Sequence, residues 1–349
     1  MRKFKYRAAV AAAALAATLT AAGCAGSGPA ESADGLTGVR VGLAIPTMNT
    51  ALINLAMAAD MDEANGLDFQ PTMAGAGSTN QISALLAREF EFAGVGTSTA
   101  VDAFAEGAPI QIAAGTGSLI NNVVLATDVA DRLGVGDTAP FAEKIEALRG
   151  LTIASSPPGS TSSSTLRYLV EQQGMDPDRD LSIVPVSDPS AIVAGIRRGQ
   201  FDGSFFGTGI ADSNVADGSG KLWLSLPRDN TAEFGDLVGV SMVVNKAYAE
   251  SNPEVVAAFH KTMADTRELV ATDPARAAEI LKSDVFETLD PTVFDIAWEQ
   301  ARTGYPAGAT FTPTQWDKYK ELYGSASEND LDEVSYEDLV APPARGAGE

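Results

Sequence analysis

The stretch Leu148–Gly207, LRGLTIASSPPGSTSSSTLRYLVEQQGMDPDRDLSIVPVSDPSAIVAGIRRGQFDGSFFG, decides the fold class of this 349-residue chain. Its apolar run Leu151–Ala154 has the length of a buried strand. The run ends in the Pro-Gly loop Pro157–Gly159, and five consecutive hydroxyl residues, Ser160–Ser164, then mark a helix start. A further strand, a helix behind Asp188-Pro189 and a third strand ending near Gly207 complete the unit. Strands alternating with helices at this spacing predict an α/β layer built on a mainly parallel sheet.

The first turn of a helix leaves N–H groups without intrahelical partners, and the helix dipole adds partial positive charge there. Gly159 lets a ligand approach the backbone, and the neighbouring hydroxyls supply short donors. The Ser160 end therefore suits a small polar or anionic group. The same residues also suffice as an ordinary N-cap.

Working outward, Ala74–Gly115, AGAGSTNQISALLAREFEFAGVGTSTAVDAFAEGAPIQIAAG, repeats the design. A Gly77-Ser78-Thr79 loop precedes an apolar-periodic helix around Ile82–Ala87, and a strand over Phe92–Val95 follows. LLAREFEF and IRRGQFDG place their helix ends and strand starts at similar offsets. Two α/β units with matching Ser/Thr loops predict two facing lobes.

From Val39 to Val340 the chain resembles the solute-binding receptors of ABC importers, in the branch for nitrate, sulfonate, taurine and thiamine precursors. The resemblance is carried by VRVGLAIP (Val39–Pro46), MAADMDEANGLDFQ (Met57–Gln70), the ISALLAREFEFAGVGTSTAVDAFAEGAPIQIAAG block and the LRGLTIASSPPGS to GQFDG block. It implies a two-lobed periplasmic-binding-protein-like fold of type II, each lobe a mainly parallel sheet flanked by helices, with the ligand cleft between them. The family's usual Gly-x-apolar-Asp at the first helix-to-strand turn is replaced by Arg88 and Glu91.

At the N-terminus, Arg2, Lys3, Lys5 and Arg7 precede the apolar run Ala8–Ala22, which is too short to span a bilayer and reads as an export signal. Cys24, the only cysteine, follows Leu19–Gly23 in a segment resembling a bacterial lipobox, so it is read as the lipidated first residue of the mature protein. Ala25–Gly38 then serves as a flexible tether. The expected organisation is a signal peptide over 1–23, a lipidated tether over 24–38, one lobe from 39–118 plus 238–349, and a second from 119–237. Ala113–Asn122 and Leu237–Val244 are the expected crossovers, with Gly115 and Gly117 giving hinge freedom.

Losing the first 23 residues removes four of the 24 basic side chains and none of the 46 acidic ones, so the formal charge deepens from −22 to about −26. Such a surface argues against nucleic acid and against attraction to anionic lipid, leaving the anchor as the membrane link. In the C-terminal third, Asn252-Pro253, Asp290-Pro291 and Thr312-Pro313 predict helix starts, and Ser251–Glu254 and Thr312–Gln315 have capping-box spacing. Val255, Phe259, Met263, Trp298 and Trp316 read as core, and Asp330–Val340 as an acidic end wrapped on a lobe.

Two enzyme readings compete. Gly96-Thr97-Ser98-Thr99-Ala100 resembles a nucleophile elbow, but the only histidine, His260, sits in the scaffold third. Gly94-Val95-Gly96 begins a dinucleotide fingerprint and carries Thr99 at its third glycine position. No Walker A pattern, cysteine pair or HExxH occurs, so no metal, no cofactor and no catalysis are expected. A synthase sharing the receptor fold would need Cys and His chemistry that Cys24 and His260 do not supply.

The reading is a lipid-anchored, extracytoplasmic monomer that captures a small solute and hands it to an ABC permease driven by a separate ATPase. A sensory lipoprotein without transport is the alternative. Expected contacts are Thr47, Asn49, Thr50, Ser78, Thr79, Thr97 and Ser98 from one lobe, faced by Ser160, Thr161, Asp188, Phe206 and Thr208 from the other. Each has a plainer role open to it, since Ser, Thr and Asp188 also cap helices and Phe206 also suits a core. These loops hold no Lys, Arg or His. A sulfonate held by N–H and hydroxyl groups fits them best, followed by a pyrimidine thiamine precursor or an aromatic solute. An Asp188 facing the cleft would favour an amine-bearing solute such as taurine.

Overall fold

The computed structural model describes residues 35–43, 46–73, 77–136, 138–158, 160–229, 237–305, 308–324 and 327–346. The signal segment, Cys24, most of the tether and Gly159 lie outside them.

Among the described residues, ten strands form two five-stranded sheets. They are β1 (Thr37–Leu43), β2 (Leu67–Met73), β3 (Phe92–Gly96), β4 (Ile110–Gly117), β5 (Asn121–Ala126), β6 (Thr152–Ser155), β7 (Ser182–Pro185), β8 (Gly203–Gly207), β9 (Gly220–Ser225) and β10 (Val240–Asn245). The first sheet has the order β2-β1-β3-β10-β4 and the second β7-β6-β8-β5-β9. In each, the first three strands pair in parallel, and one antiparallel strand joins them to the fifth.

That antiparallel strand is the exchanged one. The chain leaves β4, crosses over Ser118–Ile120 and enters the second sheet as β5; after β9 it returns to the first as β10. Among the described residues, two connections therefore join the sheets, the arrangement that hinge closure uses. Gly115 and Gly117 lie within β4, paired with Ser241 and Val240 of β10. At Gly115 the need is for closeness: a Cβ would sit 2.9 Å from Val238 and 3.0 Å from the Thr310 carbonyl.

The principal helices are α1 (Ala51–Ala58), α2 (Ser78–Leu86), α3 (Thr97–Ala105), α4 (Thr161–Gln172), α5 (Pro189–Arg197), α6 (Pro253–Thr272), α7 (Pro291–Ala301) and α8 (Pro313–Tyr323). Proline opens α5, α6, α7 and α8 at the position where its missing N–H costs nothing. Thr312 and Gln315 form the full capping box of α8. Ser251 does not cap α6, because it ends the preceding helix and donates to the Ala247 carbonyl; Asn252 takes the cap position.

On α6 the buried stripe is Val256, Phe259 and Met263, with Val255 at its edge, and Phe259 stacks on Phe92 with ring centroids 3.9 Å apart. Trp298 and Trp316 are both buried in packing. The C-terminal run docks on β4, where the Ala341 N–H donates to the Ile112 carbonyl at 2.9 Å. Among the described residues, no helix is long and apolar enough to cross a membrane.

Candidate functional site

Three helix N-termini meet where the two sheets face each other. α2 starts behind Gly77, whose φ of +94° is left-handed territory that a side chain would strain. Its first residue does not cap its own helix: the Ser78 hydroxyl accepts the Gly96 N–H at 3.0 Å, tying α2 to the end of β3. α3 begins directly after Gly96, and the Ser98 hydroxyl lies 2.7 Å from the Thr161 hydroxyl at the start of α4. That pair bridges the lobes. A Cβ on Gly96 would stand 2.7 Å from the same Thr161 oxygen. Ser160 caps α4 by accepting the Ser163 N–H and donating to the Pro157 carbonyl.

A cavity of about 600 Å³ opens between these helix ends. Asn49, Thr50, Ser78 and Thr79 line it from the first lobe, and Ser160, Thr161 and Phe206 from the second. These seven of the expected contacts are thus brought together. At its base Asn49 reaches across to β8, where a Cβ on Gly207 would be 2.4 Å from the Asn49 amide nitrogen.

The other five expected contacts do not line the cavity. Thr97 is fully buried, its hydroxyl paired with Ser241 of β10 at 2.8 Å and its N–H with the Gly239 carbonyl, so it fastens α3 to the sheet. Ser98 is spent on the interlobe bond to Thr161. Thr208 is buried and holds the crossing segment through the Ile120 carbonyl. Thr47 and Thr50 close a capping loop, with the Thr47 N–H donating to the Thr50 hydroxyl. Asp188 is exposed and caps α5; the Ser190 hydroxyl and N–H hold its carboxyl below the usual range.

Reading by residue type missed other cavity residues. Gln81, one turn beyond Ser78, and Asn121, the first residue of β5, are both nearly fully buried and both line the cavity. The Asn121 amide donates to the Ser162 hydroxyl at 3.0 Å and the Gln81 amide to the Leu43 carbonyl at 3.1 Å. The Asn49 and Gln81 side-chain oxygens are buried without a partner among the described residues. Leu119, Val95, Val186 and Val240 supply apolar wall. Among the described residues, none that lines this cavity carries an ionisable side chain.

A larger hollow of about 1280 Å³ runs along α4 toward β7, and acidic and basic side chains such as Asp102, Glu106, Arg167 and Asp178 line it. Ser163 and Ser164 from the first turn of α4 also line it, so this one helix start borders both spaces. Ser98 pairs with Thr161, while His260 on α6 hydrogen-bonds the Ala309 carbonyl and is held below its usual pKa by burial, so the two halves of a serine–histidine pair serve separate structural roles. Among the described residues no group of His, Cys, Asp and Glu is arranged to hold a metal ion.

The fold has many solved counterparts. A protein from Bordetella bronchiseptica RB50 superposes with a TM-score of 0.68 at 16% identity, over 88% of this chain and 94% of its own. The alkanesulfonate-binding protein SsuA from Xanthomonas axonopodis pv. citri, bound to MOPS, gives 0.63 at 16% identity over 88% and 98%. The periplasmic nitrate-binding protein NrtA from Synechocystis PCC 6803 gives 0.60 at 16% identity over 89% and 93%. No curated protein matches in sequence. The family model for the NMT1-like family matches residues 32–283, which include both sheets and every expected cleft residue. On that match, with the two-lobed periplasmic-binding-protein fold beneath it, the chain belongs to the NMT1-like family.

Proposed function

We propose that this chain is the extracytoplasmic, lipid-anchored receptor of an ABC importer, capturing one small solute between lobes formed by 39–118 plus 238–349 and by 119–237. The observation that carries the reading is the convergence of the α2, α3 and α4 N-termini, from both lobes, on one cavity that has no ionisable lining among the described residues. A solute touching both lobes stabilises the closed form by its differential affinity for that form. Cys24 would supply the anchor and Ala25–Gly38 the reach to a permease.

For the solute, a sulfonate-type group is the leading reading. Helix N-termini and hydroxyls stabilise its oxygens without a cation, and Phe206 with the valines accepts an apolar body. The sulfonate- and nitrate-binding neighbours make an oxyanion a natural candidate. Taurine loses its expected partner, because Asp188 caps α5 instead of lining the cavity. A second reading has its own support: the unpartnered Asn49 and Gln81 oxygens are acceptors, and an uncharged solute bearing N–H or O–H groups would satisfy them.

Calorimetric titration of a chain lacking residues 1–24 against methanesulfonate, MOPS, taurine, nitrate and a neutral aminopyrimidine separates these. A sulfonate binding at micromolar concentration is expected. Binding of the aminopyrimidine alone transfers the site to the second reading, and no binding tighter than millimolar removes both. In the same system, the full chain should fractionate with membranes and Cys24→Ala should release it.

A further inference from the structure

Behind the cleft, where the lobes join, one side chain holds parts of both. Gln300, nearly buried on α7, accepts the Asn122 amide of β5 at 2.6 Å and donates to the Asp212 carboxylate at 3.0 Å. Asp212 is 1% exposed, and its other oxygen accepts the Gly209 N–H at 2.6 Å. α7 itself is rooted in the core under the first sheet through Phe294, Ala297 and Trp298. The Trp298 ring neighbours Tyr305, whose hydroxyl donates to the Met48 carbonyl at 2.8 Å.

Those two lines of contact end on opposite walls of the cavity. Met48 begins the turn that carries Asn49 and Thr50, and Gly209 ends the segment that carries Phe206 and Gly207. The walls touch at the base: a Cβ on Gly209 would lie 3.8 Å from the Met48 side chain. Asn122, Gln300 and Asp212 are all buried, so breaking a bond between them leaves a polar group without a substitute, although the Asn122 side-chain oxygen already has no partner among the described residues.

We infer that the Asn122–Gln300–Asp212 network is the joint about which the lobes close, and that it positions Asn49 against Gly207 without itself touching the solute. It regulates the site assigned above and so rests on that reading for its purpose, although the joint exists whether or not the solute is a sulfonate. Gln300 is a positioning residue. Removing its bonds frees the two walls to shift independently; exchanging the two chemistries restores them, because a carboxylate at 300 accepts from amides at 122 and 212.

The test uses the full chain in detergent and needs no ligand for its main arm. Hydrogen exchange is followed at residues 48–50 and 207–209 in wild type, Gln300→Met, Gln300→Glu and Gln300→Glu with Asp212→Asn. Exchange at both segments should rise at least tenfold in the Met variant while the central strands β1 and β6 stay protected. It should return to within about threefold of wild type in the double variant. A uniform rise over both sheets, unchanged exchange at the two segments, or no rescue by the double exchange overturns the joint; should Gln300→Glu alone fail to fold, the Met and double variants still decide. In a second arm, MOPS affinity should fall about tenfold in the Met variant. If wild type ignores MOPS while the variants show the exchange pattern, the sulfonate reading is defeated and the joint stands.

Discussion

The turn feeding β3 and the turn feeding β8 solve one problem with different residues. In the second lobe, α5 ends at Arg197, Gly199 follows with φ +67°, and Gln200 N–H closes back on the Gly195 carbonyl. Asp202 then accepts the Thr152 N–H of β6 at 2.8 Å. In the first lobe, Arg88 adopts φ +62°, Glu89 N–H closes on the Ala84 carbonyl, and Glu91 accepts the Arg40 N–H of β1 at 2.7 Å. The hydrogen bonds correspond one for one, so the backbone demand is fixed by the lobe and the residues are negotiable.

What differs is the support each needs. Arginine in a left-handed conformation is strained where glycine is not. Glutamate is one methylene longer than aspartate and has more freedom to lose. The Arg40 side chain compensates, bonding both Glu91 and the Arg88 carbonyl.

The largest expected effect breaks the shared bond itself. Asp202→Ala leaves the Thr152 N–H without its charged acceptor and should cost about 1.5–3 kcal/mol in urea unfolding. Glu91→Ala should cost a comparable amount; a neutral result there would mean that the first-lobe bond is decorative and the equivalence false.

Next comes a carboxylate whose setting differs between the lobes. Asp62, 5% exposed, accepts the Phe69 N–H of β2 at 2.8 Å, and burial pushes its carboxyl up to about 6. Asp180, before the corresponding edge strand β7, accepts the Asp176 N–H; that bond, aided by Arg149, holds it below the ordinary range. Because the folded first lobe binds the Asp62 proton more tightly than the unfolded chain does, this group's contribution falls as pH rises from about 4 to about 6 and then stays flat. Asp62→Asn should therefore stabilise the protein by about 1–2 kcal/mol at pH 7 and by little at pH 4, read as thermal midpoints at both.

The smallest effect sharpens the contrast in glycine use. Gly199→Ala should cost about 1 kcal/mol, whereas Arg88→Gly should change stability by about 0.5 kcal/mol in the favourable direction. Chemical denaturation resolves both, and a destabilised Arg88→Gly would show that the arginine side chain itself holds the turn.

The helix starts that border the cavity were legible because capping writes its chemistry into local sequence. Ser160, Gly77 and the Pro-opened helices of the scaffold stand where capping rules put them. The other five, Thr97, Ser98, Thr208, Thr47 and Asp188, sit on the same loops but do not line the cavity, because tertiary packing buries Thr97, Ser98 and Thr208 and leaves Asp188 exposed at the start of α5. Gln81 and Asn121 went unread because a long amide one turn into a helix, or at the first position of a crossing strand, carries no local signature of facing a cavity.

Local sequence alone determined the alternating strands and helices, the two matching Ser/Thr loops and the helix starts, because capping, periodicity and proline act within a few residues. The partner of each buried hydroxyl was decided only by the tertiary structure, as were the strand exchanged into each sheet, the uncharged lining of the cavity and the Gln300 joint. Those depend on groups up to 257 residues apart, brought together by packing that no local spacing encodes.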